Sequence, residues 1–423
     1  MDSFVIRGNF CDSENKDTIR IRPNACLVCE NGICTGIFDE LPERYAALPL
    51  TDYGDTLILP GMTDLHIHAP QFSYRGLGME LELLDWLETY TFPEEAKYAD
   101  LTYAERAYGQ FADHLRRSYT TRAAVFATIH VPATMLLMEQ MDKTGLISYI
   151  GKVNMNRNCP DDLREVDVPT ALADTERWLC ETGERFAHTK PIITPRFIPS
   201  CTDELMRGLR TLVEKYHVPV QSHLSENLRE IALVQELCPD SKFYGDAYDR
   251  FGLFGGDHPC IMAHCVHSGE EERRLIKKNG VFIAHSPFSN TNVASGVAPI
   301  SAYLDDGIAT ALASDVAGGH TENMLRVMVG AIQASNLRWR LLDQNVKKLT
   351  VDQAFYIATV GGGAFFGKVG KFEAGYEFDA VVLDDRTIEH PQELSLRARL
   401  DRSIYLADER HIKAKYVAGN RLF

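Results

Sequence analysis

Histidines and one aspartate at the ends of strand-like segments are the residues best suited to chemistry. His66 and His68 end "TLILPGMTDLHIH", and they share one face because side chains alternate along a strand. His223 ends "VPVQSH", His264 ends "PCIMAH", and Asp315 follows "GIATALAS". Imidazole and carboxylate groups bind zinc or iron, and a set that leaves a position for water is catalytic rather than structural. These five residues predict a catalytic metal site.

Eight short apolar runs can position these residues. They are "LHIH", "TTRAAVFATIH", "ISYIGKVNMN", "PIITPRF", "VPVQSHLSE", "PCIMAHCVH", "GVFIAHSPFSN" and "GIATALASDV". Amphipathic segments separate them, which predicts an α/β fold with a (β/α)8 TIM-like barrel. Active sites of this fold lie at the carboxyl ends of the strands. One histidine alone would be better explained as a hydrogen-bonded core residue, but the shared position of all five candidates favours a metal site.

The two ends of the chain have shorter, alternating apolar patterns that indicate antiparallel strands. We expect them to form one small β-sandwich domain. The predicted division is 1–60 for the first part of the sandwich, 61–368 for the metal-dependent barrel and 369–423 for the second part.

Glu226 lies three residues after His223 in "HLSE", where a helix is expected to begin. A carboxylate beside a metal can transfer protons to and from a substrate. The alternative is an ordinary capping or first-turn glutamate.

His130 and His285 also end strands and are assigned to hydrogen-bonding support.

Charge and hydropathy exclude several partners. The formal net charge is −15 over 423 residues, and no basic patch is evident, so we expect no binding to nucleic acid or to an anionic membrane surface. No apolar run reaches the roughly 18 residues of a membrane-spanning helix. The start, "MDSFVIRGNF", lacks the layout of a signal peptide, so a cytoplasmic protein is expected.

Five motifs, in this order along the chain, resemble the amidohydrolase superfamily: "PGMTDLHIH", "HLSE", "AHCVHS", "HSPFSN" and "SDVAGG". Its members hydrolyse C–N and related bonds with a metal-activated water. Binuclear members carry a carbamylated lysine at the end of strand four, where this chain has Arg196. The resemblance therefore implies one metal ion per chain, Zn²⁺ with Fe²⁺ as the alternative.

Within that superfamily the chain resembles the guanine deaminase family through "HAPQ", "LDWLETYTFPEE", "FATIH", "ITPRF" and "HLSEN". The resemblance implies that Gln71, Arg196 and Phe197 bind a purine base, with Trp86 as a further substrate-binding residue. A guanidinium has only donors, so Arg196 suits the acceptor O6 of guanine and not the amino group of adenine. Arg196 could instead form a structural ion pair, and the segment around Trp86 could be either a lid or part of the core.

The resemblance implies hydrolytic deamination of guanine to xanthine and ammonia, in purine catabolism or salvage. Asp315 and His264 would act on the metal-activated water, and Glu226 would transfer protons. The partner would be a small-molecule purine base, and the protein a homodimer. The alternative is another metal-dependent amidohydrolase, acting on a different purine, a pterin, a triazine or a cyclic amide. A non-catalytic scaffold is disfavoured because all five ligands and Glu226 are present.

Overall fold

The computed structural model describes residues 3–423. The strands, in chain order, are β1 (Phe4–Asn15), β2 (Thr18–Glu30), β3 (Ile33–Phe38), β4 (Leu50–Pro60), β5 (Met62–His68), β6 (Thr120–Phe126), β7 (Ile147–Gly151), β8 (Val153–Asn154), β9 (Thr189–Pro191), β10 (Thr194–Pro195), β11 (Val220–Leu224), β12 (Cys260–His264), β13 (Phe282–His285), β14 (Thr310–Leu312), β15 (Ala380–Leu383), β16 (Ile412–Val417) and β17 (Asn420–Arg421).

The α-helices are α1 (Leu83–Trp86), α2 (Phe92–Ala96), α3 (Leu101–Arg117), α4 (Val131–Thr144), α5 (Val168–Thr182), α6 (Asp203–Tyr216), α7 (Leu228–Leu237), α8 (Tyr244–Arg250), α9 (Glu270–Asn279), α10 (Pro287–Asn292), α11 (Ile300–Asp305), α12 (Met324–Leu341), α13 (Val351–Tyr356) and α14 (Leu396–Leu406). No helix among the described residues has both the length and the apolar character needed to cross a bilayer.

Strands β5 to β14 close into a parallel barrel. The neighbours β5-β6-β7-β9 form one hydrogen-bonded group and β11-β12-β13-β14 another, while β8 and β10 prolong the third and fourth strands of the barrel. The amide N of Gln221 donates to the carbonyl of Ile193 at 3.0 Å, which joins the two groups. The amide N of Asp315 donates to the carbonyl of His66 at 2.9 Å and closes the ring. The predicted (β/α)8 barrel is confirmed.

The barrel strands are apolar because both of their faces are buried. Every residue of β6, β11 and β12 is buried. Inside the barrel, Leu65, Ala124, Ile261, Ala284 and Ala311 come from five different strands and pack into one cluster. The interior is therefore a packed core, and the carboxyl end of the barrel is where this fold usually places its site.

Helix α3 shows how the outer layer is specified. Asp100 caps it by accepting from the amide N of Thr102, and Tyr108, Phe111 and Leu115 lie buried on one face at helical spacing. The polar residues of the same helix remain on the solvent side.

Both ends of the chain contribute to one seven-stranded mixed sheet, in the order β17-β16-β15-β4-β1-β2-β3. Leu57 and Leu59 on one face belong to the main core, whereas Ile58 on the other face belongs to a second cluster. Arg122 of the barrel donates to Asp379, just before β15, at 2.8 Å and ties the sheet to the barrel. The sandwich arrangement and the domain limits at 60 and 368 stay predictions.

Candidate active site

The five predicted ligands converge at the carboxyl end of the barrel, and all are buried. The Nε2 atom of His68 lies 3.2 Å from Nε2 of His66 and 3.3 Å from Nε2 of His223. The Oδ1 atom of Asp315 is 3.1 Å from Nε2 of His66, and its Oδ2 is 3.7 Å from Nε2 of His264. The ligand atoms of His66, His223 and His264, and likewise those of His66, His68 and Asp315, lie within 4.8 Å of one another.

This spacing fits a metal ion. With metal–nitrogen distances of about 2.0–2.1 Å, two ligand atoms on a tetrahedral zinc ion lie about 3.3 Å apart. The distances from Nε2 of His68 to Nε2 of His66 and of His223 match that value. Buried imidazole nitrogens at such distances need a shared cation or proton between them, and the nitrogen and oxygen donor set suits zinc or iron.

Two of the imidazoles are oriented by acceptors on the side away from the cluster. His223 donates from Nδ1 to the main-chain carbonyl of Arg196 at 2.6 Å, and His264 donates from Nδ1 to Oδ1 of Asn290 at 2.9 Å. Each contact places the ring proton on Nδ1 and leaves the lone pair of Nε2 facing the cluster. Within residues 3–423, Nδ1 of His66 and of His68 has no hydrogen-bond partner.

Burial sets the protonation states that a metal requires. Burial, reinforced by the neighbouring imidazoles, lowers the pKa of His68 and of His223 well below the usual range, so both rings are neutral. Burial opposes ionisation of Asp315, but His66 and His264 outweigh it and lower the pKa of its carboxyl to about 2. The cluster therefore offers neutral nitrogen donors from His68 and His223 and one carboxylate from Asp315.

The backbone is strained where these side chains are presented. Ser225, His264, Cys265 and Asp315 have φ values of 47°, 72°, 50° and 47°, in the left-handed region that non-glycine residues rarely adopt. All four lie at or just beyond the ends of barrel strands. Such strain is concentrated at functional sites, where the surrounding structure holds it.

Glu226 points into the pocket and does not cap the following helix. Asn227 and Glu230 form the capping box of α7, and the amide N of Glu226 donates to Oε2 of Glu230 at 3.0 Å. The carboxyl of Glu226 instead accepts from the hydroxyl of Ser295 at 3.1 Å and lies 3.4 Å from Nε2 of His264. Burial, followed by the charge of Asp315, raises the pKa of Glu226 well above its usual range. The capping alternative is wrong.

Gln71 and Arg196 meet at Glu95, which the sequence analysis did not identify. Nη1 of Arg196 donates to Oε2 of Glu95 at 2.6 Å, and Nε2 of Gln71 donates to Oε1 of Glu95 at 2.9 Å. The guanidinium also lies 5.3 Å from the ring centre of Phe92. Arg196 thus forms an ion pair and also lines the pocket.

The predicted substrate-binding and metal-binding residues line one pocket. It is lined by His68, Gln71, Leu83, Trp86, Leu87, Arg196, Phe197, His223, Glu226, His264, Ser289 and Asp315. Trp86 is held by a hydrogen bond from its Nε1 to the carbonyl of Leu77 at 3.1 Å. The aromatic walls and the few polar groups suit a small planar molecule.

His130 and His285, the two other histidines predicted at strand ends, do not line this pocket. His285 is buried, and neither of its ring nitrogens has a hydrogen-bond partner in the described chain. Nε2 of His130 likewise has none there. The hydrogen-bonding support expected from these two imidazoles is not seen among the described residues.

Comparison with known proteins agrees with this geometry. The amidohydrolase family profile matches residues 57–422. Guanine deaminase of Dictyostelium discoideum is 38% identical over 421 residues, which cover 97% of this chain and 90% of that protein. Guanine deaminase of Mus musculus is 36% identical, covering 86% of this chain and 82% of its own.

Solved structures show the same likeness. The crystal structure of guanine deaminase from C. acetobutylicum with bound guanine aligns over 100% of both chains, with a TM-score of 0.97 and 46% identity. A triazine hydrolase variant at 18% identity, with a TM-score of 0.86, shares the fold. The chain belongs to the amidohydrolase family and, within it, to the guanine deaminases.

Proposed function

We propose that the protein hydrolyses guanine to xanthine and ammonia, in purine catabolism or salvage. The observation that carries this proposal is the presence of Glu226, Arg196 and Gln71 around the predicted metal cluster in one pocket. The curated relatives are guanine deaminases, and one similar enzyme was crystallised with guanine in its active site. No feature of the pocket favours a triazine, a pterin or a cyclic amide.

We propose one Zn²⁺ per chain, with Fe²⁺ as the alternative, held by the four histidines and Asp315. A metal ion there would supply an activated water as the nucleophile. The side chain at the end of strand four, Arg196, is directed to Glu95 and offers no lone pair, which supports a single ion.

The side chains around the cluster have separate tasks in this proposal. The N–H groups of Arg196 that do not reach Glu95 donate to O6 of guanine, and Gln71 meets another polar edge of the ring. Phe197 and Trp86 hold the planar base against the cluster.

Glu226 transfers protons in this proposal. Its carboxyl, held by Ser295, can protonate the ring nitrogen next to C2. Asp315 takes up a proton from the attacking water, and His264 orients that water. The proton then passes from Asp315 to Glu226, which gives it to the departing amino group, and the hydroxyl proton of the intermediate restores the protonated Glu226 as ammonia leaves. Because the pocket is buried, these charges act with little screening by solvent.

The test is ammonia release from guanine, adenine, cytosine and guanosine by metal-analysed protein, before and after chelation. We expect ammonia from guanine alone, about one metal per chain, and loss of activity on chelation that zinc reverses. Ammonia from another base alone would refute the purine assignment. The absence of turnover with any of the four substrates in a metal-loaded protein would refute deamination of these bases.

A homodimer and a cytoplasmic location belong to the same proposal. The homodimer rests on the resemblance to the guanine deaminases, and the location rests on the expectation from the sequence. Light scattering on the purified protein measures the first, and fractionation of cells that express the tagged chain measures the second.

A further inference from the structure

Glu95 is a fully buried carboxylate that contacts both predicted purine-binding polar residues. It lies in the short helix α2, and its two oxygens are divided between two donors: Arg196 binds Oε2 and Gln71 binds Oε1. Glu95 itself does not line the pocket. It therefore acts on a bound molecule only through its two partners.

The contact also fixes which way the amide of Gln71 points. Nε2 of Gln71 donates to Glu95, and Oε1 accepts from the amide N of Ala317 at 3.3 Å. A reversed amide would place its oxygen against the carboxylate and its NH₂ group against the N–H of Ala317. Both reversed contacts are repulsive, so Glu95 allows one orientation only.

The same carboxylate limits the movement of Arg196. A guanidinium has five donors, and Glu95 takes one of them, which leaves four for a molecule in the pocket that Arg196 lines. Without this partner the long side chain would be free to rotate, and its charge would remain in a buried site without a counterion.

We propose that Glu95 is a positioning residue that determines purine specificity by fixing the donor pattern of Arg196 and Gln71. This inference rests on the proposed function. The fixed donors meet the carbonyl oxygen at C6 of a purine and leave an amino group at C6 without an acceptor. Glu95 thus makes the pocket selective for a 6-oxopurine such as guanine over a 6-aminopurine such as adenine, without touching either.

The test is Glu95→Gln, which keeps the size of the side chain but has one acceptor where two are needed. We expect KM for guanine and the Kd for xanthine to rise about 10- to 100-fold, because buried hydrogen bonds to charged groups are lost. We expect kcat and metal content to change by less than about threefold, because Glu95 contacts none of the predicted ligands. Glu95→Asp, which keeps both acceptors, should recover part of the loss in KM.

Asp379→Asn is the matched control. Asp379 is also fully buried and pairs with a buried arginine, Arg122, but at the contact between the barrel and the terminal sheet. We expect this variant to lower the unfolding temperature and to leave KM and the Kd for xanthine within twofold of the wild type. The pair of variants separates a local effect on the pocket from the general cost of losing a buried ion pair.

The outcomes distinguish the two proposals. Wild-type protein that is loaded with metal but does not deaminate guanine refutes the proposed function and this inference with it. Active wild-type protein together with unchanged KM and Kd in Glu95→Gln refutes the inference alone. A fall in kcat at constant KM would also overturn it, since a positioning residue for the base must affect binding. If Glu95→Gln does not fold, the same measurements on Glu95→Asp decide, with an unchanged KM and Kd as the refuting result.

Discussion

Replacing Arg196 with methionine should destabilise the protein by about 3–4 kcal/mol at pH 7. Methionine fills most of the space of the arginine stem, but Glu95 is left fully buried with only Gln71 as a donor. Removal of one partner of a buried ion pair costs about 3–5 kcal/mol. A buried carboxylate without a counterion can bind a proton instead of remaining charged. At pH 7 that protonation costs a glutamate with an unperturbed pKa near 4.3 about 4 kcal/mol, because one pH unit is worth about 1.4 kcal/mol, and this value is the upper limit of the destabilisation.

The cost converts to a shift in the unfolding temperature. With an unfolding entropy of about 2.1 cal/mol/K per residue, the 423 residues give about 0.9 kcal/mol/K. Arg196→Met should therefore lower the midpoint by about 4 °C in differential scanning calorimetry of metal-loaded protein. Arg117→Met is the control, because Arg117 pairs with Asp113 at an exposed site and such pairs contribute less than about 1 kcal/mol.

The double variant Arg196→Met, Glu95→Gln separates stability from recognition. It removes the uncompensated carboxylate, so we expect at least half of the lost stability to return, as when buried ion pairs are replaced by neutral groups. Activity on guanine should not return, because no guanidinium is left to meet O6. A single variant as stable as the wild type, or a double variant that deaminates guanine, would refute this account of Arg196.

Three further outcomes follow from the site. Glu226→Gln should lower kcat about 10²- to 10⁴-fold with metal content unchanged, as measured by ammonia release and metal analysis; retention of full activity would exclude a role in proton transfer. Asn290→Ala removes the acceptor of the Nδ1 proton of His264 and should weaken metal binding about 10- to 100-fold in chelator competition; equal affinity would show that this contact does not orient the ring. His223→Ala should lose its metal on dialysis while circular dichroism shows a folded chain; a full complement of metal would remove His223 from the predicted ligand set.

The barrel and the convergence of the five candidate ligands could be predicted because their signals are local. The barrel strands are short, mostly apolar runs with polar residues near their carboxyl ends, and two histidines at period two must share a strand face. In a parallel barrel all carboxyl ends lie on one side. His66, His223 and Asp315 are far apart in the chain, but the fold leaves them only one place to meet.

Glu95 could not be predicted because no local pattern connects it to its partners. It lies 101 residues before Arg196, on a helix of five residues whose sequence, "FPEEA", offers two adjacent glutamates. One of them, Glu94, binds the exposed Lys97, whereas Glu95 turns toward Gln71 and Arg196. Only the tertiary packing of α2 distinguishes the two. The available signal was Arg196 itself, at the end of a predicted buried strand, because a buried guanidinium needs a carboxylate nearby.

Arg196 also connects its proposed role in purine recognition to the predicted metal cluster, through its main chain. Its carbonyl oxygen accepts from Nδ1 of His223 at 2.6 Å and from the hydroxyl of Ser222 at 3.1 Å, and its amide N donates to the carbonyl of Asn154 at 3.1 Å. These contacts belong to the backbone, so Arg196→Met deletes the side chain but retains the acceptor that orients His223. The variant should therefore keep about one metal per chain while losing activity on guanine. Loss of metal in this variant would mean that the ion pair with Glu95 holds the end of strand four in place, and that recognition and metal binding at this residue cannot be separated.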